Sequence, residues 1–245
     1  MIRVIFFVYG VIAYVGFLLT FLYAIGFLAN VGVPKSIDSG VEGSVGTAVI
    51  INTLLLLAFS IHHSVTARIG FKRWWTKIIA APIERTTYVM IANLFFALIF
   101  WQWQPMTAAV WTVQSPAAQG VIWAVFALGW VLVVFSSFLI DHFDLFGLRQ
   151  VYFHLRGREY SHPPYMERSL YKWIRHPLLL GWLIAFWATP SMTAGHLLFS
   201  IGTTVYIVVG LLLEERTLRG ILGEPYERYC QRTARFLPFR FRRRS

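Results

Sequence analysis

The sequence contains little cysteine and little charge. Cys230 is the single cysteine among 245 residues, which excludes an intramolecular disulfide framework and any metal site built from several cysteines. A metal would have to be held by histidines and carboxylates. Charged residues make up 13% of the chain and hydrophobic residues 57%, whereas soluble globular proteins average about 25% charged residues. We therefore expect most of the chain to lie in a membrane.

Negative charge is especially scarce, since 11 Asp and Glu residues stand against 22 Lys and Arg residues, for a net charge of +11. The basic residues border apolar runs, a pattern that indicates anionic lipid headgroups rather than nucleic acid. Within the basic tail 230–245, Phe236 to Ser245 alternates phenylalanine with arginine and is expected to anchor on the membrane surface. The lipid bilayer is thus the expected partner, and neither nucleic acid nor a protein partner is indicated.

Long uncharged runs predict the membrane segments. The first run, Val4 to Ala29, is long enough to cross a hydrocarbon layer of about 30 Å. Three further uncharged runs, at about 45–61, 86–106 and 119–140, each predict another crossing.

The fifth uncharged run extends from Leu178 to Leu213. As one helix it would be about 54 Å long at about 1.5 Å per residue, which is too long for a single crossing. Pro190 and Gly195 interrupt it, so we expect a hairpin with a short arm at about 178–189 and a longer arm at about 195–213. The short arm either spans the membrane or is re-entrant.

Loop charges give an independent prediction of topology, because Lys and Arg collect on the cytoplasmic side. Residues 62–87 are strongly basic, whereas 102–118 carry no charge. Residues 141–176 and the tail from Glu214 are basic again, so an even number of crossings must separate them. The predicted fold is an all-α integral membrane protein with five to six transmembrane segments, the last two a short hairpin at 178–213, and both termini cytoplasmic. Residues 1–245 form a single domain.

Arg175, His176 and Pro177 open the hairpin, and Gly181 follows one turn later. Pro177 suits the first helical position, with His176 near the cap. The next backbone N–H groups lack intrahelical acceptors and, together with Arg175, favour an anion such as a carboxylate. Gly181 lets a ligand or another helix approach closely. The alternative is a plain helix start with an arginine that reaches the membrane surface.

Glu214 and Glu215 stand at the other end of the hairpin. If the arms fold back, these carboxylates meet Arg175 and His176. Adjacent carboxylates could bind a cationic amine or ribose hydroxyls while the arginine side holds a carboxylate. S-adenosylmethionine carries both an amino-acid head and a nucleoside. The alternative is a structural Arg–Glu pair that closes the hairpin.

These residues resemble the C-terminal signature of the isoprenylcysteine carboxyl methyltransferase and phospholipid methyltransferase superfamily, which consists of integral-membrane, S-adenosylmethionine-dependent methyltransferases. The signature covers about 171–229, with Leu179 where many members have an aromatic residue. The resemblance implies that the cofactor is bound by Tyr171, Arg175, His176, Pro177, Gly181, Glu214, Glu215, Tyr226 and Tyr229.

Four earlier segments narrow the resemblance: 34–40, 62–68, 84–88 and 141–147. They are similar to the bacterial family of membrane-bound methanethiol S-methyltransferases, which form dimethyl sulfide, and the related NnrU-like family shares the early helices. This resemblance implies a small volatile thiol as substrate and a multi-pass location in the bacterial inner membrane. The alternatives are another lipid-soluble thiol, a prenylcysteine carboxylate or a phospholipid amine as acceptor, or a non-enzymatic NnrU-like membrane protein.

The implied reaction needs a thiolate, since the thiol itself is a poor nucleophile. The candidates for removing the proton are Asp141, His142 and Asp144, after the fourth span, and His62 and His63, at the end of the second. Asp141 and Asp144 share a face if their segment stays helical. An Asp141–Asp144 pair, or His62 or His63 polarised by one carboxylate, is the preferred base.

Tyr88 and Arg149 are candidates for substrate binding and thiolate stabilisation. Two other classes of protein remain open. The first is a haem or metal protein that uses His62, His63, His142, His154 and His176, although these histidines lie at span ends or in loops. The second is a purely structural membrane protein.

Overall fold

A computed structural model of the chain describes residues 1–163 and 167–236. Almost all of the proposed membrane anchor at 236–245 lies outside the described residues. The described helices are α1 (Ile2–Ala29), α2 (Val45–Thr66), α3 (Ile69–Trp75), α4 (Glu84–Gln102), α5 (Pro116–Ile140), α6 (His142–Leu145), α7 (Leu148–Leu155), α8 (Pro177–Trp187), α9 (Ala194–Leu222) and α10 (Glu224–Arg232). Two short strands, β1 (Ala109–Thr112) and β2 (Ser191–Thr193), and two 3-10 turns, Ala81–Ile83 and Ser169–Lys172, complete the described fold.

Five of these helices are long and apolar enough to cross a membrane: α1, α2, α4 with the 3-10 turn before it, α5 and α9. Helix α8 is shorter, at 11 residues, or about 16 Å at about 1.5 Å per residue. Many large apolar side chains point outward, such as Leu19 and Leu22 on α1, which are each more than 60% exposed. In a bilayer these side chains face lipid, so the predicted all-α membrane fold of five to six segments is confirmed.

Local sequence sets several helix ends. The Ser44 hydroxyl accepts the Thr47 N–H at 3.2 Å at the start of α2, and Thr193 caps α9 through the His196 N–H at 3.1 Å. Pro116 occupies the first turn of α5 behind the Ser115 cap. Asn30 caps the C-terminal end of α1 and takes the left-handed conformation with φ 57°. These short polar residues are the ones that favour helix caps.

The last apolar run folds back as a hairpin, which confirms the prediction. Helix α8 ends at Trp187, β2 forms the turn, and α9 returns. The turn pairs with β1 as an antiparallel two-stranded sheet, with Ala109 opposite Thr193, an element that the sequence analysis did not predict. Helix α8 also packs tightly on α5: a Cβ on Gly181 would lie 2.8 Å from the Gly129 carbonyl oxygen. Gly181 thus permits close approach of a helix.

The molecule has two chemically different ends. The β1–β2 end joins the uncharged 102–118 loop to the hairpin turn and rests on a buried aromatic core that includes Phe27, Trp103 and Phe199. The opposite end contains both charged termini of the hairpin. The uncharged loop and the charged segments therefore lie at opposite ends of the molecule, as the loop charges predict. Which of the two ends faces the cytoplasm stays a prediction.

Candidate functional site

The two ends of the hairpin meet on Glu215, whose side chain has no exposed surface. Arg175 donates from Nε to Glu215 Oε1 at 3.0 Å, and Arg235 donates from Nη2 to Oε2 at 3.0 Å. His176 Nε2 lies 3.3 Å from Oε1, and Arg219 Nη2 lies 3.4 Å from Oε2. We call these five residues the Glu215 corner. It contains the Arg–Glu pair that the sequence analysis kept as an alternative.

The guanidinium of Arg175 also donates hydrogen bonds to the backbone. Its Nη1 donates to the carbonyl oxygens of Cys230, at 2.9 Å, and Thr233, at 2.6 Å. Arg175 thereby ties the start of α8 to the last turn of α10 and to the residue that follows it. Both Arg175 and Glu215 are thus occupied by contacts within the protein, which stabilise the shape of this corner.

Glu214 differs from its neighbour, because its side chain is 56% exposed. Its Oε2 lies 3.9 Å from His176 Nδ1. Burial raises the pKa of the nearby Tyr171 phenol above its ordinary value, and the charge of Glu214 raises it further. Glu214 is therefore the carboxylate of the pair that a ligand can reach.

Two buried tyrosines of α10 pack beside this region. Tyr226 is 2% exposed and Tyr229 is 3% exposed. The Tyr229 hydroxyl donates to the Tyr171 carbonyl oxygen at 2.7 Å. Pro177 begins α8 in the first helical turn, as predicted from the sequence. Tyr171 is consequently held between α10 and the charged hairpin ends.

The Asp141 segment departs from the expectation of one continuous helix. The backbone breaks at Asp141, which has φ 150°, and its Oδ1 accepts the Asp144 N–H at 3.1 Å as a cap. Its Oδ2 accepts a hydrogen bond from Arg149 Nη1 at 2.6 Å. Asp141 and Asp144 are therefore neighbours across a cap rather than on one helix face. The condition for a shared helix face is not met, because Asp141 leaves the helical conformation after α5 and its carboxylate caps the start of α6.

Asp144 has partners that the sequence analysis missed. The Tyr160 hydroxyl donates to Asp144 Oδ1 at 2.7 Å, and Gln150 Nε2 lies 3.3 Å from the same oxygen. Burial raises the Tyr160 pKa, and the hydrogen bond to Asp144 raises it further. Tyr160 is close to Asp144 only through the fold, so local spacing carried no signal for it.

His142 is buried and has hydrogen-bond partners at both ring nitrogens. Its Nε2 lies 2.9 Å from the Tyr14 hydroxyl, and its Nδ1 lies 2.8 Å from the Ser137 hydroxyl. The ring also stacks on Phe138, with centroids 4.2 Å apart. Burial lowers the His142 pKa, and Asp141 partly opposes this shift. His142 thus joins α1, α5 and α6 as a neutral hydrogen-bonded side chain.

His62 and His63 lie together beside α4. His63 Nε2 is 2.6 Å from the Tyr88 hydroxyl, while the His62 ring stacks near Phe95, with centroids 4.9 Å apart. Neither ring nitrogen of His62 is solvent-accessible, and neither has a hydrogen-bond partner among the residues that the structure describes. His62 and His142, both near span ends, therefore differ sharply in how their polar atoms are satisfied.

A cavity of about 120 Å³ opens next to this pair. We call it the His62 cavity. Its lining residues come from α2, α3 and α4: His62, Thr66, Phe71, Trp75, Glu84, Tyr88 and Ile91.

The surroundings of the cavity are basic. Lys72 Nζ lies 3.6 Å from Glu84, and Arg85 stacks over Tyr88 at 5.4 Å. Arg85 Nε also donates to the Leu145 carbonyl oxygen at 3.0 Å, which joins this region to the Asp141 segment. Phe71, Lys72 and Trp75 were missed as site residues, because an amphipathic helix at a membrane surface gives the same sequence pattern.

The five histidines considered as metal ligands do not form one cluster. Among residues 1–163 and 167–236, no group of three or more His, Cys, Asp or Glu side chains is arranged to hold a metal ion. His154 stacks against Phe6, with centroids 5.4 Å apart, and His176 belongs to the Glu215 corner.

Comparison with protein families defines the class of protein. Residues 51–239 match the family model described as NnrU protein. Because this match covers more than half of the chain, the protein belongs to the NnrU family. Its similarity to curated relatives also places it in the family of bacterial methanethiol S-methyltransferases.

Those relatives are similar over nearly the full length. The methanethiol S-methyltransferase of Mycobacterium tuberculosis is 49% identical over 95% of both chains. Methanethiol S-methyltransferase 1 of Bradyrhizobium diazoefficiens is 50% identical over 96% of this chain and 82% of its own. Nurim of Danio rerio is a distant relative, 29% identical over 71% of this chain and 66% of its own. No solved structure shows a significant match.

Proposed function

We propose that this protein transfers a methyl group from S-adenosylmethionine to methanethiol and so forms dimethyl sulfide. The observation that carries the proposal is the closure of the hairpin, which places Glu214 beside His176 and the start of α8. The names of the relatives at 47–50% identity support methanethiol as the acceptor. Membership of a methyltransferase family implies a methyl donor.

The residues at the hairpin ends fit such a donor. The exposed Glu214 carboxylate suits ribose hydroxyls or a cationic amine. The N–H groups of Leu178 and Leu179, in the first turn of α8, have no acceptor within the helix and suit a carboxylate. Arg175 and Glu215 keep these elements together, and Tyr171 forms the adjoining wall with Tyr229 behind it.

S-adenosylmethionine, when bound, supplies a methyl group on a positively charged sulfonium. The residues of this chain have to orient the thiol, exclude water and accept its proton. The acceptor is either His62 or His63, or the Asp141–Asp144 pair that Arg149 bridges: Arg149 Nη1 lies 2.6 Å from Asp141 and Nε lies 3.9 Å from Asp144. Arg85 joins the two groups through Leu145, so all of these candidates belong to one region.

The site lies at the charged end of the spanning helices, which we place at the cytoplasmic face of the bacterial inner membrane. The basic loops at this end follow the bias of Lys and Arg toward the cytoplasm. A charged donor can reach this face from the cytosol, while a small apolar thiol can arrive through the bilayer. A site at this face is therefore accessible to both reactants.

The test is a headspace assay with the full-length protein in lipid nanodiscs and S-adenosylmethionine labelled in its methyl group. We expect labelled dimethyl sulfide when methanethiol is supplied, and no labelled product from phospholipids or a prenylated peptide. Labelled lipid or peptide instead of dimethyl sulfide would assign a different acceptor. No labelled product with any acceptor would refute the methyltransferase proposal.

A further inference from the structure

The His62 cavity is small and mostly apolar. Phe71 and Trp75 of α3 form one wall, and Ile91 of α4 lies among the other lining residues. A cavity holds one water molecule once its volume reaches about 10–15 Å³, so a molecule with two heavy atoms fits within about 120 Å³. The size and lining of the cavity match a short apolar molecule.

The cavity also contains a side chain with unmet hydrogen-bonding capacity. Within the described part of the chain, both ring nitrogens of His62 lack a partner. A buried unsatisfied polar group costs about 1–3 kcal/mol, and native proteins pair more than about 90% of such groups. His142 and His63 each make at least one hydrogen bond, so the condition is not general to the histidines of this protein. A ligand that enters the cavity and donates a hydrogen bond to His62 would satisfy one of these nitrogens.

We propose that the His62 cavity binds the thiol substrate, that Phe71 and Trp75 limit the length of its alkyl chain, and that His62 accepts its proton. This inference rests on the proposed function. A thiol places its alkyl group against the aromatic wall and its S–H toward the imidazole. Rotation about the Cβ–Cγ bond, which is soft in histidine, turns a ring nitrogen toward the sulfur.

The step balances as a displacement at carbon. The S–H bond of the thiol breaks, and the proton goes to a ring nitrogen of His62. The electron pair left on the thiolate sulfur forms the new S–CH₃ bond. The old bond from the methyl group to the sulfonium breaks, and its electron pair stays on the donor sulfur. The products are dimethyl sulfide, S-adenosylhomocysteine and a protonated His62, which loses its proton before the next turnover.

The charges around the cavity suit this step. Glu84 lines the cavity and can stabilise a protonated imidazole, and Lys72 lies 3.6 Å from Glu84. Lys72 and Arg85 place positive charge close to the forming thiolate, an arrangement that favours the anion.

The first test changes the size of the cavity. We expect Trp75→Ala to raise kcat/KM for 1-butanethiol relative to methanethiol by about tenfold or more, since one methylene in an apolar pocket changes this ratio by about 10–200-fold. The matched control is Trp74→Ala, on the same helix, because Trp74 is 52% exposed and does not line the cavity. Ile91→Phe, which fills the cavity, is expected to raise KM for methanethiol.

The second test removes the base. We expect His62→Gln to lower kcat for methanethiol by about 10²–10⁴-fold. This loss should shrink as the pH rises toward the pKa of the thiol, because solution then supplies the thiolate directly. Asp141→Asn provides the comparison. We expect it to lower kcat less than His62→Gln does, and we expect this loss of kcat to persist at high pH.

The outcomes separate this inference from the proposed function. If the wild-type protein forms no dimethyl sulfide, the proposed function fails. If the wild type is active but Trp75→Ala and Trp74→Ala share the wild-type chain-length preference, the thiol pocket is refuted. If His62→Gln retains wild-type kcat, or if Asp141→Asn shows the larger loss with recovery at high pH, the assignment of the base to His62 is refuted.

Discussion

The Glu215 corner and the His62 cavity are both polar regions at the charged end of the molecule, and they differ in how far their polar atoms are satisfied. Glu215 contacts four cationic or titratable side chains and is fully buried. His62 has no hydrogen-bond partner within residues 1–163 and 167–236. A saturated network stabilises the shape of a site, whereas an unsatisfied buried group is suited to a ligand. Ionisable residues in a membrane protein therefore need not all belong to the binding surface.

The strongest loss of stability is expected from a substitution in the Glu215 corner. We predict that Glu215→Ala destabilises the protein by about 3–5 kcal/mol, because it leaves buried Arg175 without its carboxylate partner. Unfolding in mixed detergent micelles measures the effect.

Glu224→Ala is the matched control, since this glutamate is 80% exposed and forms a surface ion pair with Arg228 one helical turn away. It should change stability by no more than about 0.5 kcal/mol. Equal stability of Glu215→Ala and Glu224→Ala would mean that the buried corner does not hold the hairpin ends together.

A smaller difference in stability is expected between variants of His142 and His62, the two histidines near span ends. We predict that His142→Phe destabilises the protein by about 1–3 kcal/mol, because the Tyr14 hydroxyl loses its bond to the imidazole and Ser137 keeps only its bond to the Val134 carbonyl oxygen. His62→Phe should leave stability unchanged or raise it, since a phenyl ring preserves the aromatic contact with Phe95 and removes two unpaired nitrogens.

Thermal unfolding of both variants, without substrate, measures this difference, and the headspace assay measures turnover. We expect the His62→Phe protein to be folded and inactive. A His62→Phe protein that is as unstable as His142→Phe would show that His62 is a structural residue.

The membrane fold could be predicted largely from sequence, because a bilayer demands long uncharged runs and those runs are visible locally. The hairpin was predictable as well, since Pro190 interrupts the last run and the basic loops on both sides of it require an even number of crossings. The β1–β2 pair was not, because Ala109 and Thr193 pair across more than 80 residues and each strand has only three or four residues.

Less of the candidate site was accessible from sequence. The spacing of Asp141 and Asp144 predicted a shared face only if the helix continued, but Asp141 leaves the helical conformation with φ 150° and caps the next helix, α6. His62 and His142 are the same residue type, and both lie near the end of a membrane span. One partner of His142, the Tyr14 hydroxyl, comes from the distant helix α1 and has no local sequence signal, whereas the other, Ser137, lies five residues earlier in the chain.

Direct titration of S-adenosylmethionine into the full-length protein tests the claim that the closed hairpin forms the cofactor corner. Calorimetry in nanodiscs should show binding to the wild type and to Glu224→Gln. Glu214→Gln should bind at least about tenfold more weakly, because a hydrogen bond to a charged group contributes about 1.5–3 kcal/mol. Absence of binding by the wild type, or equal affinity of Glu214→Gln and Glu224→Gln, would contradict the account.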